Sequence, residues 1–242
     1  MTVLSLAEEL NACTHRCRTM DAPLGERLSA MADDVRRLAP DFADIVDRMV
    51  DRLRRGGAGE GAPDVGDKLP PFVLPDETGR LVSLTKLLAG GKLVVAFHRG
   101  HWCPYCRIGA AALAGIEPEV RAMGAHMVII TPETEKYNKT LKTDAGANFP
   151  YLSDIDCGYA LELNLAIMIN DEKRDAMKSA GWDIAKFHNC ENWILPIPAT
   201  FVLDEAGIVR GCFVDPDYRK RMDVDDLLAA LGEQPRAASI AV

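Results

Sequence analysis

The stretch His98-Arg99-Gly100-His101-Trp102-Cys103-Pro104-Tyr105-Cys106-Arg107 decides the reading of this chain. The run Lys92 to His98 leads into it and predicts a buried strand. Pro104 suits the first position of a helix, where its missing N–H has no partner to lose and its φ is already helical. Cys103 then falls at the N-cap. Backbone N–H groups and the positive end of the helix dipole face a sulfur placed there. Such surroundings lower a thiol pKa and supply thiolate at neutral pH. Arg99, Arg107, His98 and His101 add positive potential. Cys106 lies one helical turn further on, close enough to form a disulfide with Cys103. Two thiols so arranged can shuttle between dithiol and disulfide. Trp102 covers one side and offers a docking face. The other chemistry open to the pair is zinc, which takes four ligands, commonly from two such pairs. A second Cys-x-x-Cys is absent, and Cys13 and Cys17, with His15 between them, fall on an apolar stripe where small hydrophobes are expected. The pair, Trp, Pro and strand-to-helix context together favour redox chemistry and no metal.

On either side of this stretch, strands and helices alternate. Upstream, Phe72 to Leu74 and Leu81 to Leu84 flank Pro75-Asp76-Glu77-Thr78-Gly79, a hairpin signature. Downstream, His126 to Thr131 reads as a strand, and Pro132 opens a helix. Tyr151 and Leu152 are weak strand, and Gly158 to Leu163 a short helix. Ala199 to Leu203 and Ile208 to Val214 form a second hairpin around Asp204-Glu205-Ala206-Gly207. Asp223 to Leu231 is a last helix stopped by Gly232. This order implies a three-layer α/β sandwich with a mixed sheet. Residues 170–197 exceed that plan. Asn170 to Ala180 is charged and helical, and Trp182, Phe187, Trp193 and Leu195 add apolar weight, so the segment reads as an ordered insertion serving as a lid or an interface.

Residues 1–56 read as a helical arm. Leu6, Leu10, Cys13, Cys17, Met20, Leu24, Leu28, Met31, Val35, Leu38, Phe42, Ile45 and Met49 recur at steps of three and four, forming one apolar stripe. Pro23 and Pro40 divide it into two or three helices. The stripe must be buried, against the rest of the chain or against a second copy. Together with the aromatic insertion it points to a homodimer, with burial in the same chain as the alternative. Gly56, Gly57, Gly59, Gly61 and Pro63 mark a flexible linker, placed at 57–65, and no Lys precedes Lys68. The main domain then runs over 66–232, with a tail at 233–242.

Composition narrows the function classes. Among 242 residues, Lys+Arg is 28 and Asp+Glu 36, a formal charge of −8. An acidic surface repels phosphates, which speaks against nucleic acid as a partner. The apolar runs Leu93 to Phe97, Met127 to Ile130 and Ala166 to Ile169 fall far short of the ~18 residues of a spanning helix. Glu8 and Glu9 stand where a secretory signal carries basic residues. A cytoplasmic protein without a membrane partner is therefore expected. Seven cysteines, an odd number, argue against a secreted disulfide framework. The sequence contains neither a phosphate-binding glycine loop nor a dinucleotide fingerprint, so no cofactor is expected.

Pro196-Ile197-Pro198-Ala199-Thr200-Phe201-Val202-Leu203-Asp204 places a proline just before a buried strand. In a thioredoxin-like fold, a cis proline there lies beside the redox cysteines. The alternative is an ordinary strand-entry proline. With this segment, Gly66-Asp67-Lys68-Leu69-Pro70-Pro71-Phe72-Val73-Leu74-Pro75-Asp76, the Arg99 to Cys106 block and Ser153-Asp154, residues 66–232 resemble the alkyl hydroperoxide reductase/thiol-specific antioxidant family of peroxiredoxin-like, thioredoxin-fold proteins. The arm is similar to helices preceding this domain in bacterial relatives with an Arg-Gly-x-Trp-Cys-Pro-Tyr-Cys signature. The resemblance implies a thioredoxin-like fold and thiol-dependent reduction of hydrogen peroxide or organic hydroperoxides. It also implies recycling by a thioredoxin-like or glutathione-type reductant.

The family register places Cys106 as the peroxidatic residue, with Cys103 where a Thr or Ser is usual. Thioredoxin logic instead makes Cys103, the more exposed of the two, the attacking thiolate. A typical family member has an activating Arg about three residues before the Phe of its last hairpin. Pro198 holds that place here, and Arg99 is the candidate substitute. Catalysis is thus assigned to Cys103, Cys106 and Arg99, with Trp102, Pro104, Pro198 and His101 shaping the site. Two other functions remain open: a thiol–disulfide oxidoreductase acting on protein partners, and a non-enzymatic redox sensor or scaffold. Cys190 reads as an incidental loop thiol, Cys212 as core, and Asp154 as a helix cap rather than a cation ligand.

Overall fold

The computed structural model describes residues 6–232, and the tail assigned to 233–242 lies outside them. The apolar stripe is carried on α1 (Leu6–Thr19), α2 (Leu24–Leu38) and α3 (Pro40–Arg55). Pro23 caps the start of α2 and Pro40 is the first residue of α3. Each proline thus breaks the rod where an absent N–H leaves no bond unmade. Leu10, Cys17, Leu24, Leu28, Met31, Val35 and Met49 of the stripe are buried in one continuous core with the rest of the chain. The stripe is therefore covered by its own chain, the alternative to a second copy. The glycine-rich segment after α3 is a run of turns. Gly59 has φ +90°, and a Cβ there would meet Val214 and Ile197 at 3.1 and 3.4 Å, so the segment is seated on the domain surface.

The first hairpin pairs β1 (Val73–Pro75) with β2 (Leu81–Ser83), and α4 (Leu84–Leu88) follows. Next come β3 (Lys92–Phe97), α5 (Pro104–Ala122), β4 (Ala125–Thr131), α6 (Glu135–Ala145) and β5 (Tyr151–Ser153). After a 3-10 turn at Ile155–Cys157 lie α7 (Gly158–Glu162), β6 (Ala166–Met168), α8 (Asp171–Ser179), α9 (Ile184–His188) and β7 (Ile194–Pro196). The chain then forms β8 (Ala199–Leu203), β9 (Val209–Val214) and α10 (Val224–Gly232).

The central sheet has the order β5-β4-β3-β8-β9. β3, β4 and β5 run parallel, whereas β8 is antiparallel to both β3 and β9. Alternate residues feed two cores: Leu93, Val95, Phe97, Val128 and Ile130 on one face, Val94, Ala96, Met127 and Ile129 on the other. Burial on both faces explains why these strands read as continuous apolar runs. Leu113 of α5, Leu141 of α6 and Leu227 of α10 cover the second face, and Leu84 of α4 with Tyr159 of α7 cover the first. This is an α/β thioredoxin-like sandwich with a mixed sheet, and α1 and α2 pack outside it against α5. Among the described residues, no helix is long and apolar enough to cross a membrane.

The insertion is ordered by local capping. Asn170 accepts a hydrogen bond from the Lys173 N–H at 3.2 Å and starts α8, and Asp183 accepts from the Lys186 N–H at 3.5 Å and starts α9. Antiparallel pairing of β6 with β7 closes its base. Sequence reading misses that pair because three-residue strands show no period. α8 lies against α3, and Phe42 of α3 meets Trp182 edge-on, with ring centroids 5.5 Å apart.

Candidate active site

β3 ends at Phe97 and the chain turns back before α5 begins. Gly100 makes the turn at φ +136°, and a Cβ there would lie 2.4–2.8 Å from the Glu133 carboxyl group. Only glycine allows the loop to lie this close. Glu133 is fully buried, accepts the His101 backbone N–H at 2.7 Å and sits 2.6 Å from His101 Nδ1. Burial pushes its carboxyl pKa up, and the bonds to His101 oppose that push. The His101 ring stacks on Tyr137 at 4.7 Å and meets Phe187 edge-on at 4.8 Å.

Cys103 is the N-cap of α5 with φ −85° and ψ 117°, and Pro104 follows at the first helical position. Its sulfur nevertheless makes no capping bond to the helix N–H groups. The better-placed sulfur belongs to Cys106. Its Sγ accepts the backbone N–H of Arg99 at 3.2 Å and Nη2 of Arg221 at 3.3 Å, and the Cys103 thiol also donates to it. Burial works to raise the Cys106 pKa, but the Cys103 bond, the Arg221 charge and the Arg99 N–H and charge outweigh it and bring it to about 5. Burial pushes the Cys103 thiol well above its ordinary value, and the bond to the Cys106 thiolate adds to this.

Cys103 is not the more exposed of the two, since both cysteines are 0% exposed, and the lowered pKa falls on Cys106, the residue that the family register singles out. The reason is tertiary. Phe42 of the arm, Lys173 and Met177 of α8, Trp182, and Tyr218 close over Cys103. Both cysteines are free thiols in this structure.

Arg99 reaches the sulfur only through its backbone. Its guanidinium lies 3.9 Å above the Tyr218 ring and 5.0 Å from the Trp102 ring, and the residue is 2% exposed. The guanidinium on the sulfur is that of Arg221, held by its own donation to the Tyr218 carbonyl at 2.7 Å. Arg107 is engaged by Asp144 at 3.0 Å and donates to Asn11 at 2.9 Å, tying α5 to α6 and α1. His98 is buried beside Arg221, and both burial and that charge push its pKa well down, leaving a neutral ring. Pro198 is buried at the entry to β8, and the Ile197–Pro198 bond is trans, not cis.

Asp154 accepts the N–H groups of Tyr159 and Ala160 at 2.8 and 2.9 Å, the capping role expected of it. Cys212 is only partly buried in β9 and donates to Asp64 at 3.2 Å.

Glu133, Lys173, Tyr218 and Arg221 went unrecognised in the sequence. Glu133 had a faint signal, a carboxylate directly after Thr131-Pro132 at the end of a buried strand. Arg221 had none, since it is 115 residues from the sulfur it touches.

The model of the AhpC/TSA family matches residues 65–212. A Mycobacterium tuberculosis protein provisionally named a peroxiredoxin is 33% identical over 91 residues, 38% of this chain; the chain spans 57% of that relative's length. Peroxiredoxin bcp1 of Schizosaccharomyces pombe is 26% identical over 142 residues, covering 56% of this chain and 70% of the relative. The crystal structure of peroxidoxin BcpB from Mycobacterium tuberculosis superposes with a TM-score of 0.55 at 21% identity, over 70% of this chain and 96% of that one. At that identity the superposition speaks for the fold. With the family model matching more than half of its length, the chain belongs to the AhpC/TSA, or peroxiredoxin, family of the thioredoxin-fold superfamily.

Proposed function

We propose that this protein is a thiol-dependent peroxide reductase in which Cys106 attacks and Cys103 resolves. The Cys106 thiolate attacks one peroxide oxygen and the O–O bond breaks. The other oxygen leaves as water or alcohol after taking a proton, and the sulfur is oxidised to a sulfenic acid. Cys103 then loses its proton and attacks that sulfur. The S–O bond breaks, water leaves, and a Cys103–Cys106 disulfide remains. A thioredoxin-like or glutathione-type thiol reductant returns the pair to the dithiol.

The observation that carries this reading is the Cys106 sulfur, held by the Arg99 N–H, the Arg221 guanidinium and the Cys103 thiol at the first turn of α5. Such donors stabilise a thiolate and keep a protonated partner thiol beside it. Burial of both sulfurs in the dithiol state favours a small hydroperoxide as its oxidant, and the disulfide must become accessible before a protein reductant exchanges with it. The arm no longer argues for a homodimer, since its stripe is spent within the chain.

The test is peroxide consumption coupled to a thioredoxin system, followed by mapping of the linked sulfurs after one equivalent of peroxide. Turnover above free thiol with a Cys103–Cys106 link supports the reading. Turnover no faster than free cysteine rejects it.

A further inference from the structure

Beside Cys103 lies a small cavity of about 20 Å³, lined among others by Arg99, Trp102, Cys103, Lys173 and Tyr218. Four buried donors of these residues have no hydrogen-bond partner among the described residues: Nε and Nη1 of Arg99, Nζ of Lys173 and Nε1 of Trp102. Arg99 is 2% exposed and Lys173 1%. The Arg99 guanidinium and the Lys173 amine rest on aromatic faces, Arg99 on Tyr218 and Lys173 at 3.5 Å from the Phe42 ring centroid. No carboxylate belongs to the lining.

We propose that this cavity is a binding site for a small monovalent inorganic anion of the halide class. Two physical reasons carry it. Unpaired buried donors are costly, and a cation such as Arg99 without a counter-charge more so. A water molecule accepts from two donors and brings two protons that need acceptors of their own. A halide accepts from all four and supplies the missing charge. Size then selects the ligand. The cavity holds roughly one water-sized sphere by the usual measure of about 10–15 Å³, which suits chloride or bromide and excludes sulfate or phosphate. The site is separate from the Cys106 sulfur, whose negative charge Arg221 already faces.

Lys173 adds a second signature. Burial, and next the Arg99 charge, push its amine pKa well down. The charged or titratable groups facing it are Arg99, Cys103, Arg219 and Tyr218, none of them a carboxylate. An anion bound against the amine favours the ammonium form, so binding takes up a proton and weakens as pH rises.

The experiment is chloride NMR line broadening on the full-length protein in halide-free buffer, with bromide and sulfate as competitors. It does not depend on the peroxidase reading. The expected result is saturable broadening that bromide abolishes and sulfate leaves in place, stronger at pH 6 than at pH 9. Lys173→Met should weaken binding about tenfold to a hundredfold, the usual cost of one charge-assisted hydrogen bond. Trp102→Phe, which removes only the indole donor, serves if Lys173→Met does not fold, and it should also weaken binding. Unsaturable broadening, equal broadening in a folded variant, or equal competition by sulfate would each overturn the proposal, leaving a surface ion or bound water.

Discussion

Cys106 and Cys103 are three residues apart yet differ in every property that matters to a nucleophile. One receives three hydrogen bonds and a guanidinium charge, and the other keeps its proton and donates it in a hydrogen bond. Cys106→Ser is therefore expected to abolish peroxide consumption. Cys103→Ser should still form a sulfenic acid that dimedone traps, without an intramolecular disulfide by mass spectrometry. Thiolate absorbance at Cys106 should hold from neutral pH downward and fall through pH 5. Arg221→Met loses a charge-assisted hydrogen bond of about 1.5–3 kcal/mol, so the midpoint of that titration should rise by about 1–2 units. A midpoint unmoved in Arg221→Met would show that Arg221 does not hold the thiolate. Because folding depresses this pKa from 9.0 to about 5, its stabilising effect is complete above pH 9 and is lost as pH falls through 5.

At the scale of elements, the β3–α5 loop supplies the Arg99 N–H to Cys106, and the insertion lines the space beside Cys103. Gly100→Ala would force a side chain into the left-handed region and against the buried Glu133 carboxyl group. A loss of about 1–3 kcal/mol is expected in urea unfolding, with a slower first peroxide step because the Arg99 N–H shifts with the loop. The insertion covers Cys103 through Lys173, Met177 and Trp182. Trp182→Ala removes the edge contact to Phe42 and the tilted contact to Trp102. An aromatic contact contributes about 0.5–1.5 kcal/mol beyond its buried area, so alkylation of Cys103 should accelerate about tenfold or more. An unchanged alkylation rate would mean that the insertion is not what shields this thiol.

At the scale of the molecule, the arm is part of the core, and its helices α1 and α2 pack on the helix that carries both cysteines. Met31 is 0% exposed and Leu28 3%. Met31→Ala should cost about 2–5 kcal/mol in chemical denaturation, in a single transition that also unfolds the sheet. Two transitions, with the arm melting first, would show that it is a separate unit. Arg54 with Asp215, and Arg219 with Asp47, join α3 to the segment before α10, but such partly exposed pairs add little beside the buried stripe.

The sequence by itself determined the order of the main strands and helices, an arm of two or three helices and the place of the Cys-x-x-Cys pair at a strand-to-helix turn. Those features rest on local causes: apolar period, proline at helix starts, glycine in turns and two cysteines one helical turn apart. It could not determine which sulfur ionises. That depends on Arg221 arriving from 115 residues away and on α3 and α8 shutting water out above Cys103. A helix N-terminus favours thiolate at either position, but desolvation and a distant charge act more strongly, and both exist only once the chain has folded.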